Sequence, residues 1–506
     1  MNKFVCDTNS RLIRLKWNSI SALIYQIIVI LGGFILPRII LKFYGSEVNG
    51  LINSITQFLS VISFLDMGVG TVVASALYKP ISDNNIVEIS KIVTSASKFY
   101  RKIAYILLLY IVALVVFYPK FVGGKFSKIY IVTLILAIAI NSFTQYYFGI
   151  VDLYYLTAAQ MSYVRYNVQI ITYIINLIVS AILIVYVQVP IQVIKFTTAF
   201  IFLFRPIIIR IFLNKKIRIN RCQIYDSEPI KQKWNGIAQH ISFIIMQNTD
   251  VIVLTLFSTL KEVSVYSIYN LVVSGVKAIV TSITNGIDAV MGEMYAKNEG
   301  MMLTQFFEFI EWIIHNLAVI VFGCTCVLIV PFVCIYTESI NDTNYIQPVF
   351  AMMLTLANAS HCLRLPYNMV IQASGHYKQT QNSYFCSALI NIVISVVLVN
   401  HFGLVGVAIG TFIAMTYHTI WLAKYESKKL IKRPFIKFIK QICTDVIIGC
   451  IAYGLTKAIP NLAINYFEWV KNALFVVVIW LLVSLIINLF IYPDKCKELI
   501  SKIRRA

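Results

Sequence analysis

Charge is scarce in this sequence. Of 506 residues, 13% are Asp, Glu, Lys or Arg, and only 22 are acidic. A soluble enzyme or a disordered chain needs far more polar surface, so both are excluded. The 43 Lys and Arg do not make a nucleic-acid binder either. A basic groove on a globular domain would sit among many other charges, and here long stretches carry none. Signatures of catalysis are missing as well. The ten cysteines form no CxxC pair, and there is no HExxH, no Walker loop and no GxGxxG. Cys324, Cys326, Cys334, Cys386 and Cys450 lie within apolar runs as small fillers, which supports neither a disulfide framework nor a metal site. The expectation is a chain that is not an enzyme and holds no cofactor. A cleavable signal peptide is also lacking. The apolar run after the basic residues 1–17 is too long for one and has no clear small-residue cleavage site, so it reads as an uncleaved first span.

What the chain has is apolar length. Apolar residues make up 59% of it, the mean hydropathy is +0.78, and 30 Tyr and 32 Phe suit two lipid–water interfaces. A span needs roughly 20 apolar residues, and about fourteen runs qualify. Their limits are 18–41, 48–78, 101–118, 129–150, 164–187, 191–213, 236–257, 263–290, 307–336, 346–371, 380–400, 403–423, 440–458 and 469–492. Lone helices satisfy their own backbone in lipid, and the short alternating segments of a β-barrel are absent, so the fold class is an all-α polytopic membrane protein.

Basic residues orient the spans. With residue 1 inside, 31 of the 43 fall in cytoplasmic segments and 7 in outer ones. The densest inner segments are 210–233, 424–440 and the tail. Both termini are then expected in the cytoplasm. The five remaining cations, Arg38, Lys195, Arg205, Lys277 and Arg364, fall within spans. Each costs roughly 2.5–3.5 kcal/mol or more if it faces lipid at mid-depth. Arg38 and Lys195 lie near span ends, where snorkelling is as good a reading as a functional one. Arg205, Lys277 and Arg364 lie deeper and favour a protein-lined or watered cavity over a fixed structural pair. Pro37, Pro206 and Pro366 stand beside Arg38, Arg205 and Arg364, which suggests cations held where helix geometry is locally broken, or chance. Among acids, Asp66 and Asp250 lie mid-span and Asp288 near an inner end. An intramembrane carboxylate can bind sodium or a proton reversibly, or can simply pair with one of the buried cations.

The two halves match at an offset of about 215 residues, the internal symmetry expected of transporters. Lys16-Trp17-Asn18 corresponds to Lys233-Trp234-Asn235, Glu47-Val48 to Glu262-Val263, and the segment around Ala158 to that around Ala373. Ile175-Asn176-Leu177-Ile178-Val179-Ser180 corresponds to Ile390-Asn391-Ile392-Val393-Ile394-Ser395. Six spans per repeat give both halves the same orientation. The expected organisation is a six-helix bundle at 1–213, a basic linker at 214–235, a second bundle at 236–424, a basic linker at 425–439, and two extra helices with a basic tail at 440–506. Two such bundles support alternating access, with the cargo site expected at their interface. Gly68 and Gly70, in Met67-Gly68-Val69-Gly70, read as helix-packing residues.

The stretches Leu36-Pro37-Arg38-Ile39-Ile40, Gly45-Ser46-Glu47-Val48-Asn49-Gly50-Leu51 and Phe64-Leu65-Asp66-Met67-Gly68-Val69-Gly70 resemble the Wzx-type lipid-linked oligosaccharide flippases. These are the O-antigen and capsule exporters of the multidrug/oligosaccharidyl-lipid/polysaccharide superfamily. Tyr78-Lys79-Pro80-Ile81, Asn248-Thr249-Asp250-Val251-Ile252, Val265-Tyr266-Ser267-Ile268-Tyr269, Arg364-Leu365-Pro366 and Gly403-Leu404-Val405-Gly406-Val407-Ala408-Ile409-Gly410-Thr411 extend the resemblance over nearly all of the first twelve spans. It implies two six-helix bundles, a cationic central cavity and two extra helices. The implied cargo is an oligosaccharide on undecaprenyl diphosphate, moved from the inner to the outer leaflet of the bacterial cytoplasmic membrane. Other polysaccharide-assembly membrane proteins are the implied partners, besides membrane lipid. A lipid-tail groove along the last two spans is implied by a related peptidoglycan-precursor branch. An ion site built on an Asp in span 7 and an Asn in span 11 occurs in one relative. Asp250 and Asn391 fit it loosely, without a second carboxylate in span 11.

Arg binds phosphate through two parallel hydrogen bonds, and a diphosphate needs cations at low dielectric. Arg38, Arg205, Lys277 and Arg364 are therefore the candidate substrate-binding residues, and Asp66, Asp250 and Asn391 the candidate ion-coupling residues, with sodium and the proton both open. Two rivals stand. A multidrug cation antiporter should have an acidic cavity, and the deep charges here are at least as basic as acidic. A membrane polymerase or glycosyltransferase usually has a sizeable outer loop, and the outer loops here are short.

Overall fold

A computed structural model of the chain describes residues 8–505, apart from 67, 123, 218, 226–227, 229–236, 285–286, 458 and 460–464. The described residues form seventeen α-helices and no strand. Clustering of contacts divides the chain into two compact units, Met1–Ile244 and Ile245–Ala506. Part of the expected 214–235 linker, including Lys233-Trp234-Asn235, lies outside the described residues, as does Met67.

The first unit begins with α1 (Thr8–Ser60), which is two helices joined at Gly45, where φ is +79° and a side chain would be strained. A 3₁₀ segment (Val61–Asp66) follows, and Gly68, again left-handed at φ +71°, opens α2 (Val69–Ser82). The expected second span is thus interrupted beside Asp66. Asn85 accepts from the Glu88 amide to cap α3 (Ile86–Phe121), and Ser127 accepts from the Tyr130 amide to cap α4 (Lys128–Thr144). A π-turn links α4 to α5 (Ile150–Ala158); α6 (Ser162–Ile182) and α7 (Ile191–Lys216) complete the unit. The core joins α2, α3, α5, α6 and α7 through Val73, Tyr100, Tyr155, Val168 and Leu213. Gly70 packs rather than bends. A Cβ there would fall 2.1 Å from the Tyr154 ring. Asn18 has a structural reason to be Asn: its amide donates to the Gln160 carbonyl and accepts from the Tyr163 amide, closing the start of α6.

From α8 (Ile237–Phe257), which contains the division, the second unit continues as α9 (Leu260–Thr284), α10 (Ile287–Ala296), α11 (Gly300–Tyr336), α12 (Pro348–Leu363) and α13 (Leu365–Ala373). Next comes α14 (Tyr377–Lys429), two helices folded back at Gly403, where φ is +51° and a Cβ would also strike the Glu262 carboxylate at 2.8 Å. The last helices, α15 (Ile436–Thr456) and α16 (Tyr466–Ile491), pack on α11 and on each other, and the basic amphipathic α17 (Pro493–Arg505) follows. The Trp480 ring of α16 lies where a Cβ on Gly323 of α11 would be, so the contact depends on that glycine.

Ten of the helices are long and apolar enough to cross a membrane, and two of these ten, α1 and α14, are each a pair joined at a glycine. Two further expected spans correspond to α8, with its apolar stretch Ile244–Phe257, and to α12 with α13, which are separated at Arg364. The internal repeat is visible in the backbone. Non-helical left-handed residues recur at Asn84 and Asn298, Gln160 and Gly375, and Gln188 and Gly403, which are 214, 215 and 215 positions apart. Three of the four sequence matches share the offset of 215, and the fourth, Lys16 with Lys233, is at 217. The repeat thus conserves where the chain turns, whether or not the residue there is glycine.

Candidate charged sites

Prolines inside α1 and α7 do not interrupt them. Both helices run on through Pro37-Arg38 and Arg205-Pro206, because long membrane helices re-satisfy the freed carbonyl locally. A break beside an Arg–Pro pair occurs only at Arg364, where α12 ends and α13 begins. This corrects the expectation of three broken sites.

Arg205 of α7 donates from Nε to Thr172 Oγ1 of α6 at 2.8 Å, and its guanidinium lies 3.6 Å from the Phe202 ring centre. Its Nη2 is buried without a partner, and no carboxylate among the described residues pairs with it. Arg38 is half-buried on α1. Both belong to the first unit.

Arg364 belongs to the second unit and is 4% exposed. It donates from Nη1 to His418 Nδ1 at 2.6 Å and from Nη2 to His361 Nδ1 at 2.7 Å. A guanidinium only donates, so both Nδ1 atoms accept and both ring hydrogens sit on Nε2. The Nε of Arg364 is left buried without a partner. Half-buried Lys277 of α9 lies close to Cys362, His361 and Arg364. Among the described residues neither Lys277 nor Arg364 has a carboxylate partner. The structure therefore brings Lys277 and Arg364 into one cationic cluster and adds two histidines that the sequence reading did not select. His361 was findable: three residues before Arg364, it shares a helix face with it. His418 was not, since 54 positions separate it from its partner.

The acids divide likewise. Asp250 of α8 is 3% exposed and accepts from Tyr266 at 2.9 Å and from Thr411 at 2.7 Å. Asn391 donates to Thr411 at 2.9 Å, and its Oδ1 is buried without a partner. Asp250 and Asn391 thus share one site, joined through Thr411. A buried carboxylate and an amide with an orphaned oxygen are oxygen donors of the kind a small hard cation takes. In the first unit Asp66 accepts from Tyr100 and, at 3.3 Å, from Tyr154. Neither Asp66 nor Asp250 pairs with a cation among the described residues. The side chain of Asp288 lies outside them.

Three further acids, absent from the sequence reading, are buried and paired. Asp152 takes Arg210 at 3.1 Å and Arg221 at 2.7 Å. Glu311 holds Arg433, and Asp445 lies 2.6 Å from His315. Arg210, Arg221 and Arg433 therefore do more than mark topology. Beside Asp445 runs an apolar groove of about 380 Å³ lined by Val319, Phe322, Met352, Leu363 and Trp480, and a second cavity of about 340 Å³ shares Cys326, Met352 and Tyr453 with it and is lined also by Lys457.

No family model and no curated protein matches the chain. Solved structures do. One is the lipid II flippase MurJ in an inward closed conformation, 17% identical, with a TM-score of 0.67, covering 94% of this chain and 99% of that one. An inward-facing multidrug resistance MATE transporter of the MOP superfamily is 12% identical, TM-score 0.58, over 83% of this chain and 99% of its own. The Vibrio cholerae MATE transporter VcmN, in a mutant form, is 12% identical, TM-score 0.54, over 85% and 99%. The chain has the fold of these flippases and transporters.

Proposed function

We propose that this chain is a flippase that moves an undecaprenyl-diphosphate-linked oligosaccharide from the inner to the outer leaflet of the bacterial cytoplasmic membrane by alternating access, for O-antigen or capsule assembly. Both termini lie in the cytoplasm on this reading, and α8 and α12–α13 cross the membrane with the longer helices. The observation that carries it is the cationic cluster of Lys277 and Arg364, which has no carboxylate partner among the described residues. A buried positive charge without a counter-charge is costly, and an anionic headgroup supplies the missing charge. Lys277 supplies an ammonium, and Arg364, held by His361 and His418, supplies a second charge. Arg205, with a free buried Nη2, gives the first unit a similar donor. Arg38 is the fourth candidate. The groove beside α15 and α16 suits an isoprenoid tail. Partners of the same assembly machinery are expected in the membrane.

Asp250 with Asn391 and Thr411 is the proposed coupling site for sodium or a proton, and Asp66 a second carboxylate for the same role. That donor set also fits the second reading, a multidrug cation antiporter, but the antiporter leaves the unpaired cations without a use. Single replacement of Arg205, Lys277 and Arg364 by Ala, with export of surface polysaccharide measured at matched protein level, tests the choice. Export should fall in each; normal export in all three would remove the anionic-cargo reading.

A further inference from the structure

Where α14 gives way to α15, Arg433 lies between two carboxylates and serves one of them. Its Nη1 donates to Glu311 Oε2 at 2.6 Å and its Nη2 to Glu311 Oε1, two parallel bonds to a single carboxylate. Glu426 gets much less. Arg433 Nε approaches its Oε2 only to 3.6 Å, too far for a hydrogen bond, and the Ser427 hydroxyl donates to the same oxygen at 3.3 Å. The other oxygen, Oε1, has no partner, and the residue is 0% exposed.

Neighbouring charges are already engaged. On α11, Glu308 receives Lys437 with its carboxylate and Lys495 with its carbonyl. His315 is taken by Asp445, which also accepts from Gln441 at 3.1 Å. Tyr367 of α13 donates to Glu311 at 2.6 Å, and Tyr492 turns its hydroxyl to Thr444. Burial by itself would pull the Arg433 guanidinium down, but its bonds to Glu311 and the charges of Glu311 and Glu426 hold it above the ordinary arginine value. Arg433 thus stays charged, and that one charge is committed to Glu311. An ionised Glu426 would leave an unpaired oxygen in a dry interior, which is unfavourable enough for the group to take up a proton instead.

We propose that Glu426 is a proton-binding site, occupied at neutral pH in the state described. When the proton leaves, the cluster gains one negative charge, and two carboxylates then compete for a single guanidinium. Arg433 is drawn from Glu311 on α11 towards Glu426 on α14. The segment leading into α15 becomes a proton-responsive contact. This proposal goes beyond the cargo reading and needs neither it nor the Asp250 site.

Infrared spectra of the purified full chain in lipid nanodiscs test it. At neutral pH the wild type should show a carboxylic-acid C=O band that is lost in Glu426→Gln and kept in Asp250→Asn. In Glu311→Gln the freed Arg433 should ionise Glu426, so the band should be lost there too. A Glu426→Gln spectrum superimposable on the wild type, or a band that persists in Glu311→Gln, overturns the proposal. Stability gives an independent reading. The folded chain holds a proton that an unfolded carboxyl has already released, so the wild-type unfolding midpoint should fall as pH rises through the titration of the site. Glu426→Gln should lose that fall; an unchanged slope overturns the proposal.

Discussion

Arg364 Nη2 lies 2.7 Å from His361 Nδ1, across the break between α12 and α13, while Nη1 of the same guanidinium reaches His418 on α14. One planar fork is shared by two neutral imidazoles. A lysine at this position keeps the charge but, with a single nitrogen, loses the planar fork whose two nitrogens each meet one ring. Arg364→Lys is therefore expected to cut export by about tenfold, equivalent to roughly 1.4 kcal/mol. Arg364→Ala should cut it further. Transport assays at matched expression check this, and full activity in Arg364→Lys would show that only the charge matters.

Asp250 accepts from two hydroxyls, and Asn391 Oδ1 stands unpartnered in the same site. Asp250→Asn removes the charge in nearly the same shape. Any sodium or proton dependence of transport is expected to vanish in that variant. Thr411→Val deletes a charge-assisted hydrogen bond, worth about 1.5–3 kcal/mol, and should weaken the dependence rather than abolish it. Unchanged ion dependence in Asp250→Asn would remove the residue from coupling.

Much of the fold is legible in the sequence because a membrane helix is a local property: enough apolar residues in a row, with turns between. The repeat is legible for the same reason, and the left-handed residues at Gln188 and Gly403 show why an offset of 215 survives while residue identity does not. The interruption beside Asp66 was not legible, since the apolar run continues through it. Charged sites were harder. Lys277 and Arg364 stand out by depth alone, yet His418 comes to Arg364 from another helix, and no spacing announces that. Glu311 and Asp445 escaped notice because they lie close to the ends of their apolar runs, where an acid reads as interfacial. Asp152 escaped because it falls just beyond one. Burial by tertiary packing, which makes such acids significant, has no sequence period.

Gly323 admits the Trp480 ring, whose nearest atom would be 2.0 Å from a Cβ placed there. Gly323→Val must push α16 away from α11, and overpacking of this kind costs about 1–3 kcal/mol. A lower unfolding midpoint with little change in helix content is expected from circular dichroism. An unchanged midpoint would mean that α16 is held mainly elsewhere, for instance by the bond from Trp312 to Asn488 at 2.6 Å.

Asp152 neutralises Arg210 and Arg221 from a position 1% exposed. Asp152→Ala leaves two partly exposed cations without their acid, and because water reaches them the cost stays below the roughly 3–5 kcal/mol of a fully buried pair. A marked loss of folded protein is expected, measured by the fraction that stays monodisperse on mild heating. Normal stability would show that solvent alone offsets both charges.

The most direct measurement of function is lipid analysis after deletion of the chain from its own cell. An undecaprenyl-diphosphate oligosaccharide should accumulate, inaccessible from outside, with surface polysaccharide lost and dye sensitivity unchanged. Unchanged lipid pools together with raised sensitivity to cationic dyes would contradict the flippase and favour the antiporter.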